Sequence, residues 1–278
     1  MTISKSKSLL ALALAGVLSA CSASMDNLIG GTDHLAEAVG SELRAEQSKR
    51  DMYRHPKETL EFFGIKPEMT VVEVSPGGGW YTSILNPIVK EQGKFYAAHF
   101  HMFEGAPGYY QRSLEGFKKK VEENPLFTDI EITEFHHMKA LDLAPQGSAD
   151  MVLTFRNVHN WYMGDGADGV ESAFKAFHKA LKPGGVLGVV DHRLPETLDQ
   201  ETYKRSGYMK QSFVVAAAEK AGFKLVASSE INANPKDNAQ HPYGVWTLPP
   251  RLAKGEEDKE KYMAIGESDR MTLKFVKM

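Results

Sequence analysis

VVEVSPGGGWY, residues 71–81, joins a run of buried-strand character to a turn with three successive glycines, and a helical segment over about residues 81–91 follows. Glycine at such a turn lets the backbone bend tightly and approach a ligand closely. The first free N–H groups of the following helix then point at whatever lies there. Strand, glycine loop and helix together make a candidate cradle for a nucleotide-like cofactor. Glycine also suits any tight strand-to-helix turn, so the neighbouring elements matter as much as the glycines.

Downstream, residues 95–100 (FYAAHF), 130–135 (IEITEF), 150–155 (DMVLTF), 186–190, 223–228 and 271–276 read as further strands. Apolar periodicity predicts helices over about 108–123, 169–181 and 209–221, the second closed by Lys182-Pro183-Gly184-Gly185. The unbroken apolar character of 150–155 is what a strand covered by helices on both faces requires. Strands separated by helices pair in parallel through right-handed crossovers. The last two, joined by a long loop without a helix, are free to pair antiparallel. The expectation is an α/β, doubly wound, seven-stranded sheet with helices on both faces and an antiparallel last strand.

Upstream, Asp33 is placed to cap a helix running to about residue 49, with Leu35, Ala38, Val39 and Leu43 at helical spacing. A second helix, 57–63, stops at Gly64. This N-terminal helical extension, residues 32–64, is positioned to cover the glycine loop as a lid. Arg50, Asp51 and Arg54 between its helices read as a solvated charged face, with ligand contact as the alternative.

The 278 residues are 42% hydrophobic and 25% charged, an ordinary globular mixture, and the alternating elements over 32–278 can share one core. Net charge is −3, with no basic run long enough to hold a phosphate backbone, so nucleic acid is not expected as a partner.

Residues 1–20 read as a signal peptide. Lys5 and Lys7 precede an apolar run, residues 9–18, too short to span a bilayer. It ends at Leu18-Ser19-Ala20-Cys21, which resembles the bacterial lipobox and contains the single cysteine of the chain. The resemblance implies acylation of Cys21, export and a lipid anchor, followed by a tether over 21–31. The alternative is ordinary cleavage beside an incidental thiol. By similarity to Gram-negative lipoproteins, Ser22 after the cysteine implies the periplasmic face of the outer membrane. One cysteine also means that no disulfide supports the fold in an oxidising compartment.

Glu73 ending the first strand, the glycine loop, DMVLTFRNVHNW (150–161) and HKALKPGGVLGVVDHR (178–193) together resemble class I S-adenosylmethionine-dependent methyltransferases over about residues 57–278. The further runs NPKDN, GVWTLPP and GESDRMTLKF resemble a group of exported bacterial proteins described as predicted methyltransferases. The resemblance implies a Rossmann-like fold and S-adenosylmethionine as cofactor. Glu73, Ser75, Gly77, Gly78 and Gly79 would line its methionine and ribose portions, with Phe155, Arg156 and Asn157 beside the adenine and methyl group. Ser75-Pro76 stands where the family opens its loop with glycine. His99 stands where the family has a carboxylate for the ribose hydroxyls, and an imidazole accepts only one hydrogen bond. The implied reaction is methyl transfer to a small-molecule or envelope-associated acceptor, with Arg156, Asn157, His159 or His192 orienting or deprotonating it.

Six of the ten histidines follow strand ends: His99, His101, His136, His137, His159 and His192. In a doubly wound sheet, ligands collect at those ends. His99, His101 and His159, with Glu73, Asp191 or Asn157 nearby, would suit zinc or another divalent transition metal. The alternative function is therefore a non-catalytic or metal-binding envelope lipoprotein that keeps the methyltransferase fold. Trp80 and Tyr81 are expected to pack, Trp161 and Tyr162 to pack or to stack on a substrate, and the loop 232–251 to fold over the crevice. Asp191-His192-Arg193 reads as an acid–base pair at the rim or a salt-bridged loop.

Overall fold

The computed structural model describes residue 1 and residues 33–278, so the expected tether with Cys21, and all but the first residue of the expected signal peptide, lie outside the described residues. Seven strands form the main sheet: β1 (Thr70–Val74), β2 (Lys94–Phe100), β3 (Glu131–Phe135), β4 (Ala149–Phe155), β5 (Leu181–Leu194), β7 (Phe223–Ser229) and β8 (Arg270–Lys277). Their order is β3-β2-β1-β4-β5-β8-β7, and the two-residue β6 (Met209–Lys210) pairs beside β5. The first five are mutually parallel, and β8 runs antiparallel between β5 and β7. The chain winds outward from β1 to β3 and then restarts at β4 on the other side of β1. The crevice for ligands in such a sheet opens where the winding reverses, between the carboxyl ends of β1 and β4.

Alternate residues of the central strands feed two cores. Val72 and Val74 pack with Phe135, Phe174 and Phe177 on the face covered by α7 (Val158–Ala180) and α8 (Gln211–Lys220). Val71 joins Leu60, Phe63, Ile84, Phe117 and Phe127 on the other face, under α4 (Pro56–Phe63), α5 (Thr82–Val89) and α6 (Gly108–Glu123). Burial on both faces is the reason three of the five β1 positions and five of the seven β4 positions are apolar.

The seven-stranded sheet and its antiparallel strand follow the sequence expectation, and several local elements differ from it. The helix expected over 33–49 is broken into α1 (His34–Val39), a 3-10 turn (Glu42–Arg44) and α2 (Ala45–Ser48). Asp33 caps the first, accepting from Ala36 N. The break follows Gly40, where buried Arg44 turns inward to bond the Val39 carbonyl and Asp51. A further single turn, α3 (Asp51–Arg54), precedes α4. Helix α7 starts eleven residues before the expected 169. It bends at Asp165-Gly166, where Gly166 has φ +63° and the Asp165 carboxylate bonds His137 at 2.6 Å. The connection from β7 to β8 contains a helix after all, α9 (Lys259–Ile265).

Candidate active site

The glycine loop leaves β1 through three residues in the left-handed region: Ser75 at φ +49°, Gly77 at +58° and Gly79 at +76°. Gly79 is there for packing, since a Cβ on it would lie 2.5 Å from Phe127 Cε1. Gly77 has open space on its Cβ side, with nothing within 4 Å. It lines a cavity of about 520 Å³, together with Glu73, Ser75, Gly78, Phe155, Arg156, Asn157, His159 and His192. Those residues come from the carboxyl ends of three strands, β1, β4 and β5, and include most of the site residues expected from sequence. Gly79 and His99 are the ones outside this lining. A second cavity of about 470 Å³, walled by Phe103, Tyr110, His136, His137 and Trp161, shares Ser75, Phe100, Asn157 and Asn160 with the first. The two form adjoining chambers along the carboxyl edge.

Glu73 is 2% exposed and accepts a 2.6 Å hydrogen bond from Thr82 Oγ1. Burial pushes its carboxyl up to about 7, against the opposing pull of the Thr82 hydrogen bond and Arg156. His99 has turned away from the crevice. The Phe100 N–H donates to its Nδ1 at 2.8 Å, so Nε2 carries the proton and donates to the Gly77 carbonyl at 3.2 Å. Both ring nitrogens are used, and burial pushes the imidazole down to about 4. Its role in this geometry is to hold the glycine loop, leaving no ring nitrogen for a ribose hydroxyl.

The expected metal set does not assemble. His101 pairs with Glu134 at 2.5 Å on the β3 side, and His99 is bonded to backbone. Among the described residues, the group whose ligand atoms converge is His159, Asp191 and His192, within 4.8 Å of one another. The parallel register of β4 and β5, with Phe155 opposite Val190, brings these ends together across 32 residues of sequence. Asp191 is fully buried and accepts from His159 N (3.1 Å), His159 Nδ1 (2.9 Å) and His192 N (2.7 Å). Its oxygens are thus committed to N–H donors, which suits orienting an imidazole better than ligating an ion. His159 keeps Nε2 as its basic nitrogen, unpartnered among the described residues, on a ring that lines the cavity. Burial and the neighbouring His159 push His192 well below the ordinary histidine range, so it is neutral, with Nδ1 2.5 Å from Ser268 Oγ.

Asn157 spends its amide on the Val74 carbonyl (2.9 Å) and Thr154 Oγ1 (3.2 Å), clamping β1 to β4. Arg156 sits at φ +63°, costly for a non-glycine residue and typical of backbone held for a functional purpose. The Arg50–Arg54 face is a correction: Arg54 is 1% exposed and its guanidinium lies over the Trp80 ring at 4.4 Å. The extension does cover the loop, with Trp80 Nε1 donating to the Gln47 carbonyl at 2.9 Å and Tyr81 stacked on Phe155 at 3.5 Å. Trp161 and Tyr162 are buried, the former against Phe135 and Phe177, the latter bonding Glu201. Arg193 is salt-bridged to Glu230 and Asp269. The 232–251 loop contributes Trp246 to the cavity wall. Gln47, Lys120 and Trp246 were not picked out by sequence, and Arg54 only with ligand contact as the alternative to a solvated face. The one available signal was the four-residue spacing of Arg50 and Arg54, which puts both on one side of a turn.

The cavity fits S-adenosylmethionine at its methionine end. Gln47 Oε1, Arg50 Nη2 and all three Arg54 nitrogens are buried without hydrogen-bond partners among the described residues, beside the open face of Gly77. These are the acceptor and donors that an amino-acid ammonium and carboxylate would take up.

No family model matches the chain, and no curated protein matches it in sequence. Solved structures do resemble it. A methyltransferase dependent on S-adenosylmethionine from Aquifex aeolicus superposes with a TM-score of 0.54 at 17% identity, over 86% of this chain and 98% of that one. The 4+2 cyclase SpnF gives 0.56 at 12% identity, over 87% and 93%. A possible exported protein from Bordetella parapertussis gives 0.51 at 13% identity, over 82% and 68%. The chain has the Rossmann-like methyltransferase fold. At such identities the likeness establishes the fold alone, and a cyclase shares it, so the reaction must be argued from the site.

Proposed function

We propose that this protein is an S-adenosylmethionine-dependent methyltransferase in which His159 takes the proton of the acceptor. The observation that carries the reading is the meeting, in one crevice, of the open Gly77 face with an imidazole whose basic Nε2 is left over. The cofactor, when bound, supplies an electrophilic methyl group. Glu73, Gln47, Arg54 and the 77–78 backbone would hold it, with Tyr81 and Phe155 walling it from water. Asp191 fixes the His159 tautomer and stabilises the imidazolium that forms when the acceptor's O–H or N–H gives up its proton. Neutral His192 and Trp246 border the same space and position the acceptor without competing for that proton.

One observation favours the second reading, an envelope binding protein that keeps the fold without the reaction: the end of β2 offers no free carboxylate where the ribose would lie. Calorimetric titration of the full chain, purified in detergent, with S-adenosylmethionine separates the two. Binding in the micromolar range is expected, and no heat at millimolar cofactor would refute methyl transfer. From the sequence we further infer that Cys21 carries a lipid that anchors the protein at the periplasmic face of the outer membrane.

A further inference from the structure

The cavity holds more positive charge than the protein balances. Arg50, Arg54 and Arg270 all turn to one carboxylate, Glu267, at 2.6, 3.7 and 2.5 Å. The Arg156 guanidinium stands within electrostatic reach of all four groups and has neither a hydrogen bond nor an ion pair among the described residues. Glu73, pushed up to about 7 by burial, is only partly ionised at neutral pH. Four guanidinium groups thus share one committed carboxylate in a largely buried space, where unpaired charge is costly. The strain is visible on Arg54, which burial and Arg156 together push down to about 8.

The cofactor does not remove this excess. Its carboxylate is offset by its own ammonium, and the sulfonium adds a further positive charge. A bidentate carboxylate also occupies only two N–H donors. Arg54 alone presents three buried nitrogens without a hydrogen bond and Arg50 a fourth, and the Arg156 guanidinium stands beside them. The left-handed backbone of Arg156 places that guanidinium in the cavity wall shared with His159.

Resting on the methyltransferase reading, we propose that Arg156, with Arg50 and Arg54, receives an anionic group, carboxylate or phosphate, carried by the methyl acceptor. The seat adjoins that of the cofactor's own carboxylate, which takes up two of the Arg50 and Arg54 donors and leaves the others, with the Arg156 guanidinium, for the acceptor's anion. The acceptor's nucleophile then lies toward His159, and its anion lies toward the extension. Guanidinium is the side chain suited to this, because its planar donors match both oxyanions.

Inorganic phosphate is the probe. The full chain is saturated with S-adenosylhomocysteine, which keeps the cofactor's carboxylate, and then titrated calorimetrically with phosphate. Expected is millimolar or tighter phosphate binding to the saturated protein, with the S-adenosylhomocysteine affinity unchanged by phosphate. Arg156→Gln should weaken phosphate at least tenfold and S-adenosylhomocysteine less than threefold, while Arg156→Lys, which keeps the charge but not the planar fork, should bind phosphate between wild type and Arg156→Gln. Phosphate that fails to bind the saturated protein, or that competes with S-adenosylhomocysteine, overturns the proposal, because the arginines then have one seat and the cofactor fills it. An unchanged phosphate affinity in Arg156→Gln also overturns it. If S-adenosylhomocysteine itself does not bind, methyl transfer falls. The anion seat is then upheld by phosphate binding to the ligand-free protein that Arg156→Gln abolishes, and it is lost if there is none.

Discussion

Gly77→Ala and Gly79→Ala, two residues apart in one loop, should fail in opposite ways. Both positions are left-handed, at φ +58° and +76°, which costs an alanine about 1–2 kcal/mol. At Gly77 the added methyl meets no protein atom within 4 Å, so stability should fall by that amount and no more. At Gly79 it would lie 2.5 Å from Phe127 Cε1, 2.7 Å from Cζ and 3.2 Å from Phe117 Cε2, both rings being fully buried and unable to retreat. Overpacking of this kind adds roughly 1–3 kcal/mol, for a total of about 2–5 kcal/mol, or on the order of 5–15 °C in Tm for a domain of this size. Binding reverses the order. The Gly77 methyl projects into the cavity, where a ligand would have to accommodate it at a cost of about 1–3 kcal/mol, roughly fivefold to 150-fold in affinity. Thermal melts and S-adenosylhomocysteine calorimetry on the two variants make the comparison. Wild-type affinity in Gly77→Ala would show that the loop is no cradle. A Gly79→Ala protein as stable as Gly77→Ala would show that the Phe127 contact does not set that glycine.

The protonated form of Glu73 is favoured in the fold, where its carboxyl is pushed from 4.5 up to about 7, so the unfolded chain releases the proton first. The contribution of this group to stability is present below about pH 4.5 and declines toward pH 7. Glu73→Gln should abolish that decline and stabilise the fold at pH 8 by about 3 kcal/mol at most, read as a higher Tm; a lower Tm at pH 8 would contradict the buried-carboxyl account. His159→Ala should lower kcat by roughly 10²–10⁴ with cofactor affinity little changed, and an unaltered rate would remove it as the base. The Asp191→Asn variant should lose rate while still binding cofactor, because the amide no longer fixes the tautomer; its pH–rate profile against wild type is the check. Cys21→Ser should release the protein from membranes and abolish labelling by a fatty-acid analogue, whereas unchanged fractionation and labelling would exclude the anchor.

What the sequence by itself determined is local and repetitive. Strands buried on both faces must be apolar at successive positions, so β1 and β4 stand out at 71–74 and 150–155. Glycines forced to positive φ mark the loop, and Gly64 marks the end of α4. With alternating helices these fix a doubly wound sheet and hence the edge at which a ligand binds. The chemistry within that edge was decided by tertiary structure. Arg54 sits in a stretch rich in charge, and only the packing of the extension over Trp80 buries it. Asp191 meets His159 because β4 and β5 align in register, a pairing that no spacing in the chain encodes. Histidines at strand ends suggested a shared metal, yet three of them turn to separate partners, His99 to Gly77, His101 to Glu134 and His137 to Asp165, and only His159 and His192 meet, at Asp191. Side-chain direction at a strand end depends on rotamer and on local acceptors, which period-two alternation does not specify.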